Sequence, residues 1–227
     1  MFDPLYWLMI APAVLLGLWA QFQIRSTYAT AQQIPAPLSG AAAARHILDS
    51  AGLHNVGIEP IGGHLSDHYD PRAKVLRLST DIYQSRSMAA VGIAAHEAGH
   101  ALQDAQAYAP LVVRNAAVPV AGFGSNFGML MVVMGAIMSW APLVQIGIAL
   151  FAAVVFFQVV NLPVEFNASS RAKAQLATLG IVSPQEMVYV NRVLSAAALT
   201  YVAATLQAIL TLLYLLMRFG GSSSDRD

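Results

Sequence analysis

Four long apolar runs, separated by two polar stretches, divide the chain. The last three runs contain no Lys, Arg, Asp or Glu, and the four lie at residues 4–24, 116–140, 141–164 and 195–217. A helix of about 20 apolar residues crosses a bilayer, so each run predicts a transmembrane helix. Only the short segment Trp140-Ala-Pro142 joins the second run to the third, which predicts a transmembrane hairpin over 116–164.

The first apolar run has a competing interpretation as a cleaved signal peptide. Signal peptides begin with a basic segment and end at a cleavage site flanked by small residues. Met1-Phe2-Asp3 contains no basic residue, and no clear cleavage site follows the run. The pattern therefore favours an uncleaved transmembrane helix at residues 1–24.

The first polar stretch, residues 25–115, is the only one long enough for a small folded domain. Its alternation, capping residues and turn residues predict five elements. They are a helix capped by Ser39 and ending near Gly52, a strand at 56–61, a loop at 62–71, a strand at 74–79, and a helix from Ser85 or Ser87 to about Gln106.

The second polar stretch, residues 165–194, predicts a continuation of the third membrane helix to Gly180. The segment Ser183-Pro-Gln-Glu186 is then typical of a helix start, with proline in the first turn and a capping glutamate. Residues 195–218 are predicted to form the fourth transmembrane helix, and the Gly- and Ser-rich residues 219–227 a disordered tail.

Composition supports this mainly α, polytopic membrane architecture. Of the 227 residues, 57% are hydrophobic and 11% charged, whereas soluble domains carry about 25% charged residues. The chain has no cysteine, which excludes disulfides and thiolate zinc ligands. It has no net charge and no basic cluster, so nothing indicates nucleic-acid binding.

The basic residues predict the orientation of the helices. Four spans place residues 25–115 and 165–194 on the same side, and ten of the twelve Lys and Arg lie in these two stretches. Loops rich in basic residues stay in the cytoplasm. The first loop is long and therefore weaker evidence, but the short second loop agrees, so both are predicted to be cytoplasmic.

One motif in the first polar stretch carries chemistry. His96-Glu97-Ala98-Gly99-His100 reads H-E-x-x-H within a predicted helix. Residues four apart share one helical face, so both imidazoles can bind the same metal ion. The intervening glutamate reaches a metal-bound water without being a ligand, which is the arrangement of zinc metallopeptidases.

A catalytic zinc takes three protein ligands, so one more is needed. The candidates are His46, His54, His64, His68, Asp104, Glu165 and Glu186. Glu165 is favoured because it follows a membrane helix on the same predicted side as the motif. Ser169 lies one turn later on its face. Asp104, one turn past His100, is interpreted as a solvated carboxylate, with orientation of a ligand histidine as the alternative.

Several segments resemble known membrane proteases. His96-Glu97-x-x-His100 followed by Glu165 resembles the gluzincins, and residues 164–169 are similar to the E-[FY]-x-A-D segment of HtpX-type proteases, with Ser169 in place of aspartate. A closer resemblance is to the bacterial YugP-type neutral zinc metallopeptidases, on residues 63–71, 76–79, 95–103 and 162–173. It implies a multi-pass membrane protease with one zinc per chain, but not a substrate. Together with the charge pattern, this predicts a protein of the bacterial plasma membrane with a small α+β zincin-like cytoplasmic domain.

The ligand set predicts a mechanism. Zinc lowers the pKa of its bound water and polarises the scissile carbonyl, while Glu97 moves the proton to the leaving amine. His64 and His68, in the loop before the strand at 74–79, are the predicted donors to the oxyanion, with a purely structural role as the alternative. In zincin-like proteases such a strand lies beside the metal helix and pairs with the substrate.

Three functions compete on this sequence. The first is a zinc endopeptidase that acts on proteins or peptides at the membrane, in contact with lipid. The second is a non-catalytic membrane adaptor or chaperone with a structural zinc site, which would have no use for Glu97 as a base. The third, a transporter, is disfavoured because the three later spans lack ionisable residues. A membrane-protein partner and a homo-oligomer both stay open.

Overall fold

The computed structural model describes residues 3–63 and 66–220. Within these ranges the fold is mainly helical, with one small sheet. The helices are α1 Pro4–Gln32, α2 Gly40–Ser50, α3 Thr80–Gln84, α4 Met88–Ala105, α5 Ala109–Ile137, α6 Ala141–Thr178 and α7 Met187–Phe219. The strands are β1 Gly57–Ile61, β2 His68–Asp70 and β3 Val75–Ser79. Most of the predicted tail, from residue 221 onward, lies outside the described residues.

The four longest helices, α1, α5, α6 and α7, are long and apolar enough to cross a membrane. This confirms the four apolar helices predicted from the sequence. Large apolar side chains on them are exposed, among them Leu8, Leu15 and Ile137. Such exposure is unfavourable in water and suits a helix whose surroundings are lipid.

The chain forms two compact units. The apolar unit consists of the residues up to Trp19, Val112–Pro163 and the residues from Thr200 onward. Within it α5 and α6 approach closely, since a methyl group on Gly147 would stand 2.6 Å from the carbonyl oxygen of Gly128. Small residues allow such backbone contact between helices in lipid, where van der Waals packing drives association.

The mixed unit consists of Ala20–Leu111 and Val164–Leu199. Its core packs α2 and α4 against the sheet, and the largest fully buried side chains include Ile47, Leu76 and Met88. The burial of these apolar side chains supplies the main driving force for this unit.

Predicted capping residues set the helix boundaries in this unit. The Ser39 and Ser87 hydroxyls accept hydrogen bonds from the backbone of the first turns of α2 and α4. Glu186 accepts bonds from the backbone N–H and the hydroxyl of Ser183, at 3.1 Å and 2.6 Å. Ser183 in turn accepts from the backbone N–H of Glu186 at 3.3 Å. These contacts confirm the predicted helix starts.

The sheet corrects two expectations. Its strand order is β1-β3-β2, with β1 parallel and β2 antiparallel to β3. The segment 62–71, predicted to be loop, therefore contains β2, a three-residue strand that owes its form to pairing with β3. The strand predicted at 74–79 is the central one. β1 pairs with all of β3 and β2 pairs with Val75–Arg77, so β3 has no free edge for a substrate over these three residues. In the described part of the sheet, β2 is therefore the edge strand on the side opposite β1.

Candidate metal centre

The two motif histidines lie on one face of α4. The helix begins after Ser87, and the motif occupies its middle. The rings of His96 and His100 are 4.7 Å apart between centroids, and their Nε2 atoms are 3.2 Å apart. The helical spacing of four residues thus brings two imidazole nitrogens to a single point.

Helix α6 brings a carboxylate to the same point. The Oε2 atom of Glu165 lies 3.2 Å from Nε2 of His96 and 3.8 Å from Nε2 of His100. One ligand atom from each of the three residues lies within 4.8 Å of the others, so the group could hold a metal ion. The side chains of all three are at most 15% exposed.

The donor set fits zinc. Zinc–nitrogen and zinc–oxygen bonds of about 2.0–2.2 Å in a tetrahedron place neighbouring ligand atoms about 3.3 Å apart. The two 3.2 Å separations within the group match that spacing. Two imidazoles and one carboxylate are also a donor set of catalytic zinc sites, which keep a fourth position for water or substrate.

The second ring nitrogen of each histidine contacts a neutral polar group. Nδ1 of His96 lies 3.1 Å from the Ser169 hydroxyl, and Nδ1 of His100 lies 3.0 Å from Oε1 of Gln103. Such outer partners orient the rings of metal-ligating histidines. The HtpX-type pattern has an aspartate at the position of Ser169, where it would be expected to orient this histidine. In the present chain the Ser169 hydroxyl contacts the His96 ring instead.

Glu97 lies outside the group of ligand atoms and is 9% exposed. Its Oε2 accepts a hydrogen bond from the backbone N–H of Tyr69 at 3.1 Å. Burial raises the pKa of Glu97 to about 7; the charge of His96 opposes this shift, and those of Glu165 and Asp67 add to it. A carboxyl group with a pKa near neutrality can both accept and release a proton.

Burial lowers the pKa of His96, but other contacts outweigh it. The hydrogen bond to Glu165 and the charges of Glu97 and Glu165 leave the pKa above its ordinary value. The imidazole therefore holds a proton more firmly next to these two carboxylates, and a cation at the same point would take that proton's place.

Asp104 anchors the β2–β3 hairpin to α4. It accepts a hydrogen bond from the Tyr69 hydroxyl at 2.7 Å and pairs with Lys74. Because Asp104 binds these two hairpin residues, the structure supports neither the orientation of a ligand histidine nor a freely solvated carboxylate. At the other end of the hairpin, Asp67 accepts from the backbone N–H of Ser79 at 2.7 Å.

The remaining candidate residues lie elsewhere. His68 is exposed, and its Nδ1 is 2.9 Å from the Ser66 carbonyl oxygen, while His64 lies outside the described residues. His54 is 73% exposed and pairs with Asp49, as expected of a surface residue. The catalytic roles assigned to His64 and His68 stay predictions.

Sequence reasoning missed two residues of this site. Gln103 lies three positions after His100 and is fully buried. The one available signal was its polar side chain on the face of the motif helix that is otherwise apolar. Tyr69 acts through its backbone N–H, which leaves no signal in a sequence.

Comparison with known proteins agrees with this geometry. The model of a family described as "Putative neutral zinc metallopeptidase" matches residues 6–220. The "Putative membrane protease YugP" of Bacillus subtilis (strain 168) is 46% identical over 206 residues, covering 90% of this chain and 92% of that protein. No solved structure matches the chain. The chain belongs to the neutral zinc metallopeptidase family that the match over residues 6–220 defines.

Proposed function

We propose that the protein is a membrane-embedded zinc endopeptidase that cleaves proteins or peptides near the cytoplasmic surface of the bacterial plasma membrane. The observation that carries this proposal is the spacing of His96, His100 and Glu165, with the carboxylate of Glu97 buried beside them. The first three would hold one zinc ion per chain, and Glu97 would serve as catalytic base.

The proposed chemistry divides between the ion and Glu97. Bound zinc would lower the pKa of a water molecule toward about 7 and polarise the scissile carbonyl. Glu97 removes the proton from the attacking water and delivers it to the leaving amine. The Tyr69 N–H holds the carboxylate of Glu97 in place for both steps.

The substrate is proposed to bind along β2. Peptides commonly add a strand to an exposed sheet edge, and β3 has no such edge over Val75–Arg77, where β1 and β2 flank it. The N–H of Tyr69, the middle residue of β2, donates to Glu97. A peptide at this edge would therefore lie beside the catalytic carboxylate. His68, the neighbour of Tyr69, and His64 are kept as the proposed oxyanion donors.

The cytoplasmic orientation rests on charge. Ten of the twelve basic residues lie in the two polar stretches, 25–115 and 165–194, that contain the metal centre. Reporter fusions at residues 25–37 and at the C-terminus test this orientation, since the first site should be cytoplasmic and the second external. An external reporter at the first site would refute it.

The decisive experiment separates the base from the ligands. In Glu97→Gln, zinc content should stay at about one per chain, while hydrolysis of fluorescein-labelled casein should fall at least ~100-fold. Full activity in this variant would refute the peptidase. Wild-type protein that binds zinc but cleaves nothing would favour the adaptor, although that function does not require a buried carboxylate beside the ligands.

The third ligand has its own test. Glu165→Ala should lose bound zinc, because two imidazoles alone do not make a tight site. Glu59→Ala is the matched control, since Glu59 is an exposed carboxylate whose partner is Arg77. Wild-type zinc content in Glu165→Ala would show that another residue completes the site.

A further inference from the structure

The side chain of Gln103 is fully buried on α4, and both ends of its amide are engaged. Its Oε1 lies 3.0 Å from Nδ1 of His100. Its Nε2 donates to the backbone carbonyl of Val164 at 2.8 Å and to Oδ1 of Asn167 at 3.0 Å. A buried amide with every contact satisfied has a fixed orientation.

The direction of these hydrogen bonds determines which nitrogen of His100 carries the hydrogen. The Val164 carbonyl can only accept, so the NH₂ group of Gln103 must face it. The oxygen of Gln103 then faces His100, and Nδ1 of His100 must donate. In the neutral ring this leaves Nε2 unprotonated, with its lone pair directed toward His96 and Glu165.

A second anchor imposes the same direction. The guanidinium group of Arg171 can only donate, and its Nε donates to Oδ1 of Asn167 at 2.7 Å. The oxygen of Asn167 is thereby turned toward the NH₂ group of Gln103. Arg171 is itself held by Oε1 of Gln106 at 2.6 Å and by the ring of Tyr108, 5.8 Å from the guanidinium carbon.

We propose that Gln103 is a positioning residue of the metal centre. Oriented by the Val164 carbonyl and by Arg171 through Asn167, it keeps His100 in the Nδ1–H tautomer, so that Nε2 is ready to bind the ion. This inference rests on the proposed zinc binding by His96, His100 and Glu165. It assigns to Gln103 the outer-partner role that carboxylates commonly fill at zinc sites.

Zinc affinity provides the first test, in purified full-length protein with a competing chelator. Gln103→Met keeps the side-chain volume and removes the hydrogen bonds, and the zinc dissociation constant should rise about 10- to 100-fold. Gln185→Met is the control, because Gln185 is exposed and lies outside the centre. An unchanged dissociation constant in a folded Gln103→Met variant would overturn the proposal. Wild-type protein that binds no zinc would instead refute the metal centre itself.

The tautomer provides a second test, and its first readout is made on the wild-type protein. In metal-free wild-type protein with ¹⁵N-labelled histidine, above neutral pH, the His100 signals should show hydrogen on Nδ1. The signals are assigned by difference from His100→Asn. In Gln103→Met the Nε2–H form should appear, which a merely structural role would not produce. Hydrogen on Nε2 of His100 in the wild type would overturn the proposal.

Discussion

Gly99 lies so close to Ala168 that a methyl group on Gly99 would stand 2.6 Å from the Ala168 carbonyl oxygen. Gly99 directly precedes His100 on α4, and Ala168 directly precedes Ser169 on α6. The contact therefore sets the distance between the two helices at the level where their ligand atoms meet.

We expect Gly99→Ala to destabilise the protein and to weaken zinc binding. The added methyl group would push α4 away from α6, and such overpacking typically costs about 1–3 kcal/mol. The same movement would separate Glu165 from both histidines, so zinc content at limiting zinc should fall. Thermal unfolding and metal analysis measure the two effects.

Gly122→Ala is the control for this substitution. Gly122 is also helical, on α5, but a methyl group there would meet nothing within 4 Å. Its zinc content and unfolding midpoint should match those of the wild type. Equal behaviour of the two alanine variants would mean that the contact between Gly99 and Ala168 does not hold the ligands together.

Ser169 should tune zinc affinity through His96. Ser169→Ala removes the hydroxyl that contacts Nδ1 of His96, and loss of an outer partner typically weakens binding about 10-fold or more. Ser169→Asp should restore or tighten binding, because a carboxylate makes the imidazole more basic. The neighbouring, exposed Ser170 supplies the control Ser170→Ala. If Ser169→Ala and the wild type bind zinc equally well in a chelator competition, Ser169 does not tune the affinity of the site.

Tyr69→Phe should loosen the β2–β3 hairpin without removing its backbone. The variant loses the hydrogen bond to Asp104, and a bond to a charged group is worth about 1.5–3 kcal/mol. Hydrogen exchange at the hairpin amides should therefore accelerate at least several-fold. Tyr83→Phe, on α3 outside the hairpin, is the comparison variant. Unchanged exchange in Tyr69→Phe would show that Asp104 does not anchor the hairpin.

The metal-free protein should lose stability as the pH rises toward 7. The pKa of Glu97 is about 7 in the folded protein, against an ordinary value of 4.5. Between these values the folded state binds more protons than the unfolded state, so stability is present at pH 5 and is lost on the way to pH 8. The shift corresponds to about 3 kcal/mol. The raised pKa of His96 acts in the same direction.

Unfolding midpoints of chelator-treated protein at pH 5 and pH 8 measure this effect. In Glu97→Gln the difference between the midpoints at pH 5 and pH 8 should be smaller, because the contribution of Glu97 is lost. Added zinc should stabilise more at pH 8 than at pH 5, because its imidazole ligands must be unprotonated. A metal-free wild type that is more stable at pH 8 than at pH 5 would contradict the prediction.

Local chemistry explains which parts of the fold could be predicted. Long apolar runs and capping residues such as Ser39 and Ser87 act within their own segment, so helices α2 and α4 and the four long helices were predictable. Strand β2 has three residues and no alternating pattern, and it exists because β3 lies beside it. Helix α3 was not predicted either, because it follows β3 directly and no local signal marks its start.

The same distinction applies to the site. The pairing of His96 and His100 follows from helical periodicity alone. The approach of Glu165 required a second helix, and its position after a membrane span made it the favoured third ligand. The roles of Gln103 and Tyr69 depend on which groups face them after folding, so neither could be read from residue spacing.

Both histidines at the centre contact uncharged outer partners, Ser169 and Gln103. Two carboxylates remain at the centre, that of Glu165 among the ligands and that of Glu97 beside them. When both are ionised, one divalent cation would balance their charges. The loaded centre would thus be electroneutral and could be enclosed at a much smaller Born penalty than a net charge would carry. An ion of lower or higher valence would leave a net charge in the same enclosure, so charge balance would help to select a dication there.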